Sequence, residues 1–420
     1  MLQRLRVTEL SLLVTVGLLT ATGLALLGLV KTGQPGELAR PGVIFLGGIT
    51  LAYLWLVAIG FRGDQLLLPI VLALNSLGLL MVRRLAPGSA DRQLAWVLIG
   101  LAGMLVLVTF WRDLTILKRY RYLWALAGLG LVALTLVFGT DPNGSGERLW
   151  LGFGAARFQP SEPLKILLVI FLASYLDEKR ELISLSRLRL GPLRLPPLDY
   201  LAPFLVMWAI SMALLVWQRD LGAASLFFGI FLTMLFVASG RASYLFAGAG
   251  LFFLSSLVAD RVFAHVHQRI QLWADPWSQT ARGGYQIVQA LIALAAGGLL
   301  GTGLGYGYPE YIPAVHTDFV FVAIGEELGL AGALGVLGLY FLLFHRAFKI
   351  ALQAVDSFNQ LMAAGLAIVL SWQTFIILAG NLKLIPLTGI TLPFVSYGGS
   401  SLVTNYILVG LLLLVSKEPK

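Results

Sequence analysis

Cysteine is absent from this 420-residue chain, and charged residues are scarce. Without cysteine there are no disulfides, thiol nucleophiles or iron–sulfur ligands. Only 12% of the residues are charged and the mean hydropathy is +0.85, whereas soluble domains are about 25% charged. This composition argues against a soluble enzyme and predicts an all-α polytopic membrane protein.

Acidic residues are the scarcer charge, with 21 Asp and Glu against 30 Lys and Arg. The net charge of +9 could suit nucleic acid, but the basic residues lie in short loops between apolar runs. Membrane lipids with anionic headgroups are therefore the expected partner, and no nucleic acid is expected. The chain also lacks a tandem repeat of about 20–50 residues, which excludes a repeat array.

The apolar runs predict about twelve transmembrane helices, each near the ~20 residues that a bilayer requires. The first run is longer than the core of a cleavable signal peptide, so we expect it to be retained. The predicted spans are residues 10–30, 42–61, 66–82, 93–111, 122–139, 163–176, 200–218, 222–239, 243–259, 318–344, 361–380 and 402–415.

Loop charge predicts the orientation of these spans. An even number of spans puts both termini on one side, and the loops on that side hold more Lys and Arg, which predicts cytoplasmic termini. The main contributors are Arg112, Lys118, Arg119, Arg121, Lys179, Arg180, Arg187, Arg189 and Arg194. Segments 140–162, 260–317 and 381–401 are then extracytoplasmic. The large loop 260–317 contains an apolar stretch, 287–300, which is too short to span and predicts a re-entrant or surface half-helix.

The stretch PAVHTDFVFVAIGEELG, residues 313–329, places acidic groups in an otherwise apolar run. A carboxylate at the bilayer centre costs about 2.5–3.5 kcal/mol, so such groups mark a functional site. We expect His316, Asp318 and Glu326 to organise a cavity, with Glu326 paired or protonated. Glu327 is expected to point elsewhere.

Three further polar clusters lie in or beside the predicted extracytoplasmic segments. In 146–165, Gln159, Ser161 and Glu162 are expected to help organise the cavity. The amine of Lys165, which follows them, is expected to pair with Glu162 or a phosphate, or else to extend to the headgroups. In 217–224, Arg219 and Asp220 occupy a tight turn and either line a site or pair with each other.

The third cluster, residues 381–402, contains Lys383 and the run SYGGSS. Backbone amides and hydroxyls near a helix start favour an anion nest that includes Ser396 and Ser400, although the glycines could instead serve close helix packing. Two other patterns are weak. His265 and His267 lack a nearby third metal ligand, and GTGLGYG at 301–307 follows no strand, which excludes a dinucleotide-binding loop.

Five motifs, in this order along the chain, resemble the SEDS family of shape, elongation, division and sporulation proteins, to which RodA, FtsW and SpoVE belong. They are RLWLGFGAARFQPSEPLK, QRDLGAA, GGYQIVQALIALAAGGLLGTGLGYG, YIPAVHTDFVFVAIGEELGLAG and KLIPLTGITLPFVSYGGSSL. The resemblance implies a ten-helix membrane core over residues 65–420, preceded by two additional helices in residues 1–64.

The resemblance also implies a peptidoglycan glycosyltransferase at the outer face of the bacterial plasma membrane, serving cell shape, elongation or division. It would polymerise lipid II, a polyprenyl-pyrophosphate-linked disaccharide peptide, and work with a class B penicillin-binding protein. Pyrophosphate needs cations and backbone donors, which Arg148, Lys165, Arg219, Lys383 and the SYGGSS nest could supply. Magnesium or manganese would suit these oxygen ligands, although the sequence does not require a metal.

One position departs from the family pattern. The resemblance implies a catalytic aspartate in a run like W-x-D-P-x-G-x-G-Y-Q, and Gln279 occupies that place. A neutral amide cannot act as a general base. Asp275 is the expected substitute, with Asp318 and Glu162 as alternatives.

Gln279 also keeps open a non-catalytic scaffold that binds lipid II and regulates the penicillin-binding protein. A lipid-linked substrate transporter is a weaker alternative, because the two halves of the chain show no internal symmetry.

Overall fold

The computed structural model describes residues 6–34, 38–111, 113–141, 148–153, 156–184, 188–190, 193–195 and 198–417. Some predictions fall outside these ranges. They concern Arg112 and Arg187 of the charge pattern and residues 146–147 and 154–155 of the first polar motif.

The described chain is built almost entirely from helices. They are α1 (Val7–Thr32), α2 (Ala39–Ala58), α3 (Leu67–Leu85), α4 (Pro87–Phe110), α5 (Thr115–Arg119), α6 (Arg121–Phe138), α7 (Ser161–Ser184), α8 (Leu198–Trp217), α9 (Leu221–Ser239), α10 (Ala242–Val262), α11 (Ala264–Ala274), α12 (Gly284–Gly297), α13 (Val315–Asp318), α14 (Val320–Gln353), α15 (Ser357–Asn381) and α16 (Gly399–Ser416). Two antiparallel hairpins complete the set: β1 (Leu151–Phe153) with β2 (Ala156–Phe158), and β3 (Leu188–Leu190) with β4 (Leu193–Leu195).

Ten helices in the described ranges are long and apolar enough to cross a bilayer: α1, α2, α3, α4, α6, α9, α10, α14, α15 and α16. The prediction of an all-α polytopic membrane protein is therefore confirmed. The predicted spans 163–176 and 200–218 fall in α7 and α8, which are outside this set of ten. The count of twelve spans stays a prediction.

The helices group into two compact units, and the boundary passes through α11, α14 and α15. The first unit comprises Met1–Trp111, Gln268–Arg346 and Gln373–Lys417, and the second is mainly Arg112–His267 and Ala347–Trp372. In the first unit α16 packs against α4, and α1 packs against α2 and α3. In the second, α7 packs against α6 and α9, and α10 packs against α9.

The N-terminal helices are anchored within the first unit by a buried arginine. Arg6 contacts the carboxylate of Glu9 and donates to the carbonyls of Phe61, Gly63 and Asp64 at 2.9, 3.1 and 2.7 Å. The Asp64 carboxylate in turn accepts from Arg346 of α14 at 2.6 Å. Every guanidinium nitrogen of Arg6 therefore donates to an acceptor, and these bonds offset the cost of burying the charge.

Helix α14 is broken where the sequence predicted one continuous span. Gly329 has φ 68° and ψ −168°, a conformation that side chains with a Cβ avoid. The glycine loop, residues 298–308, lies along the break. Its Gly298 and Leu299 carbonyls accept from the amides of Leu330 and Ala331 at 3.0 and 3.1 Å. Such substitute partners are what allow a broken helix inside a membrane protein.

Candidate functional site

The α15–α16 loop, residues 382–398, is held by buried side chains from three surrounding helices. Gln93 of α4 donates to the Ser396 carbonyl at 3.0 Å, Tyr340 of α14 donates to the Pro393 carbonyl at 2.5 Å, and Gln373 of α15 donates to Thr391 O at 2.9 Å. These bonds fix the loop on its helical supports.

Gly78 of α3 allows the same loop to lie directly on a helix. A Cβ at this position would stand 2.6 Å from the Val395 carbonyl oxygen. This distance is well inside van der Waals contact, so α3 carries glycine where the loop crosses it.

The predicted anion nest lies at the end of this loop. Helix α16 begins at Gly399, within SYGGSS. The Ser396 hydroxyl accepts from the Leu392 amide at 3.0 Å, and Ser396 is only 3% exposed. The Tyr397 amide donates to the His316 carbonyl at 2.9 Å, and Ser400 is buried. The Ser396 hydroxyl therefore stabilises the turn in which it lies.

Helix α11 docks on the opposite part of the α15–α16 loop. The Trp273 indole donates to the Lys383 carbonyl at 3.0 Å. Arg269, one turn earlier, donates to the Thr388 and Leu387 carbonyls at 3.2 and 3.4 Å. Because Trp273 and Arg269 share one face of α11, the helix and the loop form a single support.

Asp275 and Lys383 lie at one end of this support. The exposed Asp275 accepts from the Ser278 amide at 3.3 Å. Hydrogen bonds from Ser278 lower the pKa of the Asp275 carboxyl, and the charge of Lys383 adds a smaller effect in the same direction. The Lys383 amine reaches the Ala274 carbonyl at 3.4 Å. Gln279, on the same turn, accepts from the Gly284 amide at 2.9 Å.

Asp318 lies at the other end, in the short α13 that precedes the spanning helix. It is half-buried, and a Cβ on Gly389 would stand 3.9 Å from its Oδ2. Desolvation raises the pKa of the Asp318 carboxyl to about 6, against smaller lowering effects of a Thr317 hydrogen bond and the Arg269 charge. The carboxyl thus titrates near neutrality.

His316 shares α13 with Asp318. Its imidazole lies with the ring centroid 5.7 Å from that of Tyr397. Burial lowers the pKa of His316 below its usual value. The ring is therefore mostly neutral at physiological pH.

Left-handed backbone is concentrated in these same segments. Of the four non-glycine residues with positive φ in the described ranges, three lie here: Ala314, Lys383 and Phe394, with φ of 54°, 57° and 66°. Such conformations cost about 1–3 kcal/mol and persist where the surroundings impose them, often at functional sites.

The two adjacent glutamates of α14 both bond to the glycine loop, so the expectation that Glu327 points elsewhere is wrong. Glu326, predicted to be paired or protonated, accepts from the Tyr308 amide at 2.8 Å. Glu327, whose partner the sequence did not reveal, is fully buried and pairs with Arg84 at 2.9 Å. It also accepts from the Gly305 amide at 2.9 Å. Both carboxylates therefore hold the glycine loop.

In the second unit, Lys165 has the partner that the sequence offered as one of two choices. Its amine lies 2.7 Å from Glu162, and Lys165 is 1% exposed. Ser161 is the first residue of α7, and the Gln159 carbonyl accepts from the Glu162 amide at 3.1 Å.

The remaining predicted residues of the second unit fall into two kinds. Arg148 and Arg219 are exposed. Asp220 is buried and caps α9, since its carboxylate accepts from the Ala223 amide at 2.9 Å. Across the described ranges of both units, no group of three or more His, Asp or Glu side chains is placed to hold a metal ion.

Comparison with known proteins places these motifs in a defined family. The model of the FtsW, RodA and SpoVE family, described as cell cycle protein, matches residues 64–420. The chain is 41% identical over 395 residues to a Mycobacterium tuberculosis protein named peptidoglycan glycosyltransferase RodA, covering 91% of this chain and 84% of that protein. A Mycobacterium leprae protein of the same name is 40% identical, with 97% and 90% coverage.

Two solved structures are similar over most of the chain. One belongs to a peptidoglycan synthase complex described as coordinating polymerization and crosslinking, with a TM-score of 0.70, 31% identity, and coverage of 84% of this chain and 98% of that one. The other is the Thermus thermophilus rod shape determining protein RodA, with a TM-score of 0.62, 30% identity, and 84% and 97% coverage. A variant of that protein with one aspartate replaced by alanine is equally similar.

Proposed function

This chain belongs to the FtsW, RodA and SpoVE family of cell cycle proteins, and from that membership we propose that it is a peptidoglycan glycosyltransferase. The observation that carries the proposal is 41% identity over 91% of the chain to a protein of that name. The protein is a multi-pass membrane protein, with ten apolar candidate spans among its described residues.

Its substrate in this proposal is lipid II, polymerised at the outer face of the bacterial plasma membrane. With both termini cytoplasmic, the large loop 260–317 and the α15–α16 loop face the outside. The acceptor hydroxyl oxygen bonds to the anomeric carbon of the donor sugar. The bond from that carbon to the pyrophosphate oxygen breaks, and polyprenyl pyrophosphate leaves with the electron pair. A carboxylate takes the hydroxyl proton.

Lys383 is the proposed pyrophosphate ligand of the first unit. Its amine makes one long contact, 3.4 Å to the Ala274 carbonyl, so it can turn to an incoming anion at little cost. Asp275 lies close enough for the Lys383 charge to contribute to the lowered pKa of its carboxyl. Ser396 and Ser400 are proposed to position the loop that carries Lys383.

In the second unit, the exposed Arg148 and Arg219 are proposed phosphate ligands. Lys165 already forms an ion pair with Glu162, at 2.7 Å. We therefore propose that Lys165 positions the start of α7, and that it contacts phosphate only when Glu162 is displaced.

A class B penicillin-binding protein is the proposed partner. The support is the similarity to a chain of a synthase complex that couples polymerization with crosslinking. Gln279 favours a second candidate function, a scaffold that binds lipid II and regulates this partner without polymerising. An amide in place of the family aspartate lacks the lone-pair basicity that proton removal requires.

Polymerisation of purified lipid II separates the two functions. The full chain in detergent would be incubated with lipid II, with and without the partner, and glycan ladders resolved on a gel. Ladders support the enzyme. Their absence under both conditions, together with retained lipid II binding, supports the scaffold, and Gln279→Asp should then create activity.

The pyrophosphate site is tested with Lys383→Ala, for which Lys349→Ala is the matched control because Lys349 is an exposed lysine on α14. Loss of a charge-assisted hydrogen bond should raise the KM for lipid II about tenfold or more. The control should leave KM unchanged. An equal KM for both variants would remove Lys383 from the site.

A further inference from the structure

Asp318 has a different hydrogen-bond partner from the other described carboxyls of the first unit, because it is bonded to the Thr317 side chain. The others are already bonded to an arginine or a backbone amide: Glu9 to Arg6, Asp64 to Arg346, Asp91 to Arg83, Glu310 and Glu327 to Arg84, Glu326 to the Tyr308 amide, and Asp275 to the Ser278 amide. Such bonds occupy the carboxylate oxygens of these residues and hold them in place.

The surroundings of Asp318 favour the neutral form of its carboxyl. Burial dominates and moves the pKa of its carboxyl up to about 6. A carboxylate with a pKa close to the working pH is both ionised at pH 7 and basic enough to take a proton. Arg269 is near enough to moderate the shift, and it is fixed by the Leu387 and Thr388 carbonyls.

The carboxyl of Asp318 lies beside a glycine, and the residue is partly exposed. Gly389 has no side chain and lies close to the carboxyl, since a Cβ there would be in van der Waals contact with Oδ2, at 3.9 Å. The residue is half-buried rather than enclosed. It lies in α13, ahead of the spanning helix, on the chain segment whose His316 carbonyl is bonded to Tyr397.

We propose that Asp318, held beside Arg269 and facing Gly389, is the general base that removes the proton from the attacking hydroxyl. This proposal rests on the proposed glycosyltransferase function. The hydroxyl oxygen forms the new glycosidic bond, its proton passes to the Asp318 carboxylate, and the pyrophosphate leaves with the electrons of the broken bond. Solvent then deprotonates Asp318. Asp275, whose lowered pKa makes it a weaker base, instead stabilises its own turn and lies near Lys383.

The test is a steady-state pH profile of lipid II polymerisation by the full chain, from about pH 5 to pH 9. Asp318→Asn should lower kcat at least about 100-fold, the usual contribution of a general base, with KM little changed. Wild-type kcat should rise with an acid limb near pH 6, where the carboxyl ionises. Removing the Arg269 charge in Arg269→Gln should move that limb to higher pH, because Arg269 lowers the pKa of Asp318.

Folding can be separated from chemistry. A carboxyl whose folded pKa is raised destabilises the fold once it is ionised, as the pH rises through about 6. Asp318→Asn should therefore be at least as stable as wild type at pH 7.5. Asp91→Asn is the matched control for the amide change, because Asp91 is exposed and its bond to Arg83 is 3.4 Å long. This control should keep wild-type kcat.

The outcomes are distinct. An Asp318→Asn variant within tenfold of wild-type kcat overturns the assignment while leaving the glycosyltransferase intact. So does an acid limb that disappears in His316→Gln or Asp275→Asn but persists in Asp318→Asn. A wild-type chain that makes no glycan, with or without its partner, overturns the enzyme and this base together.

Discussion

Arg84 offers the sharpest test of how the glycine loop is held. Its side chain is 3% exposed, and the guanidinium bonds to the fully buried Glu327 at 2.9 Å and to the Gly307 carbonyl at 2.9 Å. Arg84→Leu would leave the Glu327 carboxylate buried without its cation. Breaking such a pair costs about 3–5 kcal/mol, because desolvation of the remaining charge is no longer offset.

The neighbouring Arg83 provides the control on the same helix turn. It pairs at 3.4 Å with Asp91, whose side chain is 84% exposed. Exposed pairs contribute about 0–1 kcal/mol, so Arg83→Leu should change stability by no more than this. The measurement is the free energy of unfolding in mixed detergent micelles for wild type and both single variants.

A second change decides whether charge is the cause. Arg84→Leu combined with Glu327→Gln removes both charges, and the double variant should regain at least half of the lost stability. A double variant as unstable as Arg84→Leu alone would refute the electrostatic account. The loss would then come from the packing of the arginine side chain.

The remaining predictions concern the α14 break and the buried lysine. Gly329→Ala should lower the free energy of unfolding by about 1–3 kcal/mol from backbone strain alone, and its Cβ would also lie 2.3 Å from the Gly301 amide nitrogen. The control is Gly335→Ala on the same helix, where the added Cβ has no atom within 4 Å. This variant should be neutral or slightly stabilising in the same unfolding assay. Equal stabilities would contradict the break. Lys165→Met should cost about 1.5–3 kcal/mol, and adding Glu162→Gln should recover part of this; no recovery would show that Glu162 is not the partner that matters.

The sequence predicted the membrane class well because a membrane span depends on the hydrophobicity of one continuous segment of the chain. The ten described helices that are long and apolar enough to cross a bilayer lie at the predicted places. The break at Gly329 was missed, since nothing in a single apolar window shows that a loop will supply the lost hydrogen bonds. The run LGLAG around it was the available signal.

Side-chain partners were predictable only when they were close in sequence. Glu162 lies three residues from Lys165, and the sequence named it as a possible partner. Arg84 and Glu327 are separated by 243 residues, so helical periodicity could not connect them. The pair of arginines at the end of α3 was a signal that a buried acid lay nearby, because arginine is almost never buried unpaired.

The candidate site itself was named in part. Asp318 and Lys383 were identified by their unusual setting, whereas Arg269 was not, because its role depends on carbonyls more than 100 residues away. Its signal was weak: one arginine in an amphipathic surface helix commonly faces solvent.

The hydrogen bonds between the glycine loop and α14 limit how the length of this region can change. The Thr302 and Gly303 amides donate to the Glu326 and Glu327 carbonyls at 2.9 and 3.0 Å, while the loop also accepts from the helix beyond the break. A single residue inserted or deleted between Leu299 and Thr302 would shift the Thr302 and Gly303 bonds by one position relative to those of Gly298 and Leu299. Residues can be substituted there, but the number of residues between α12 and the two glutamates should stay constant. Alignments of relatives should show no gaps across this segment.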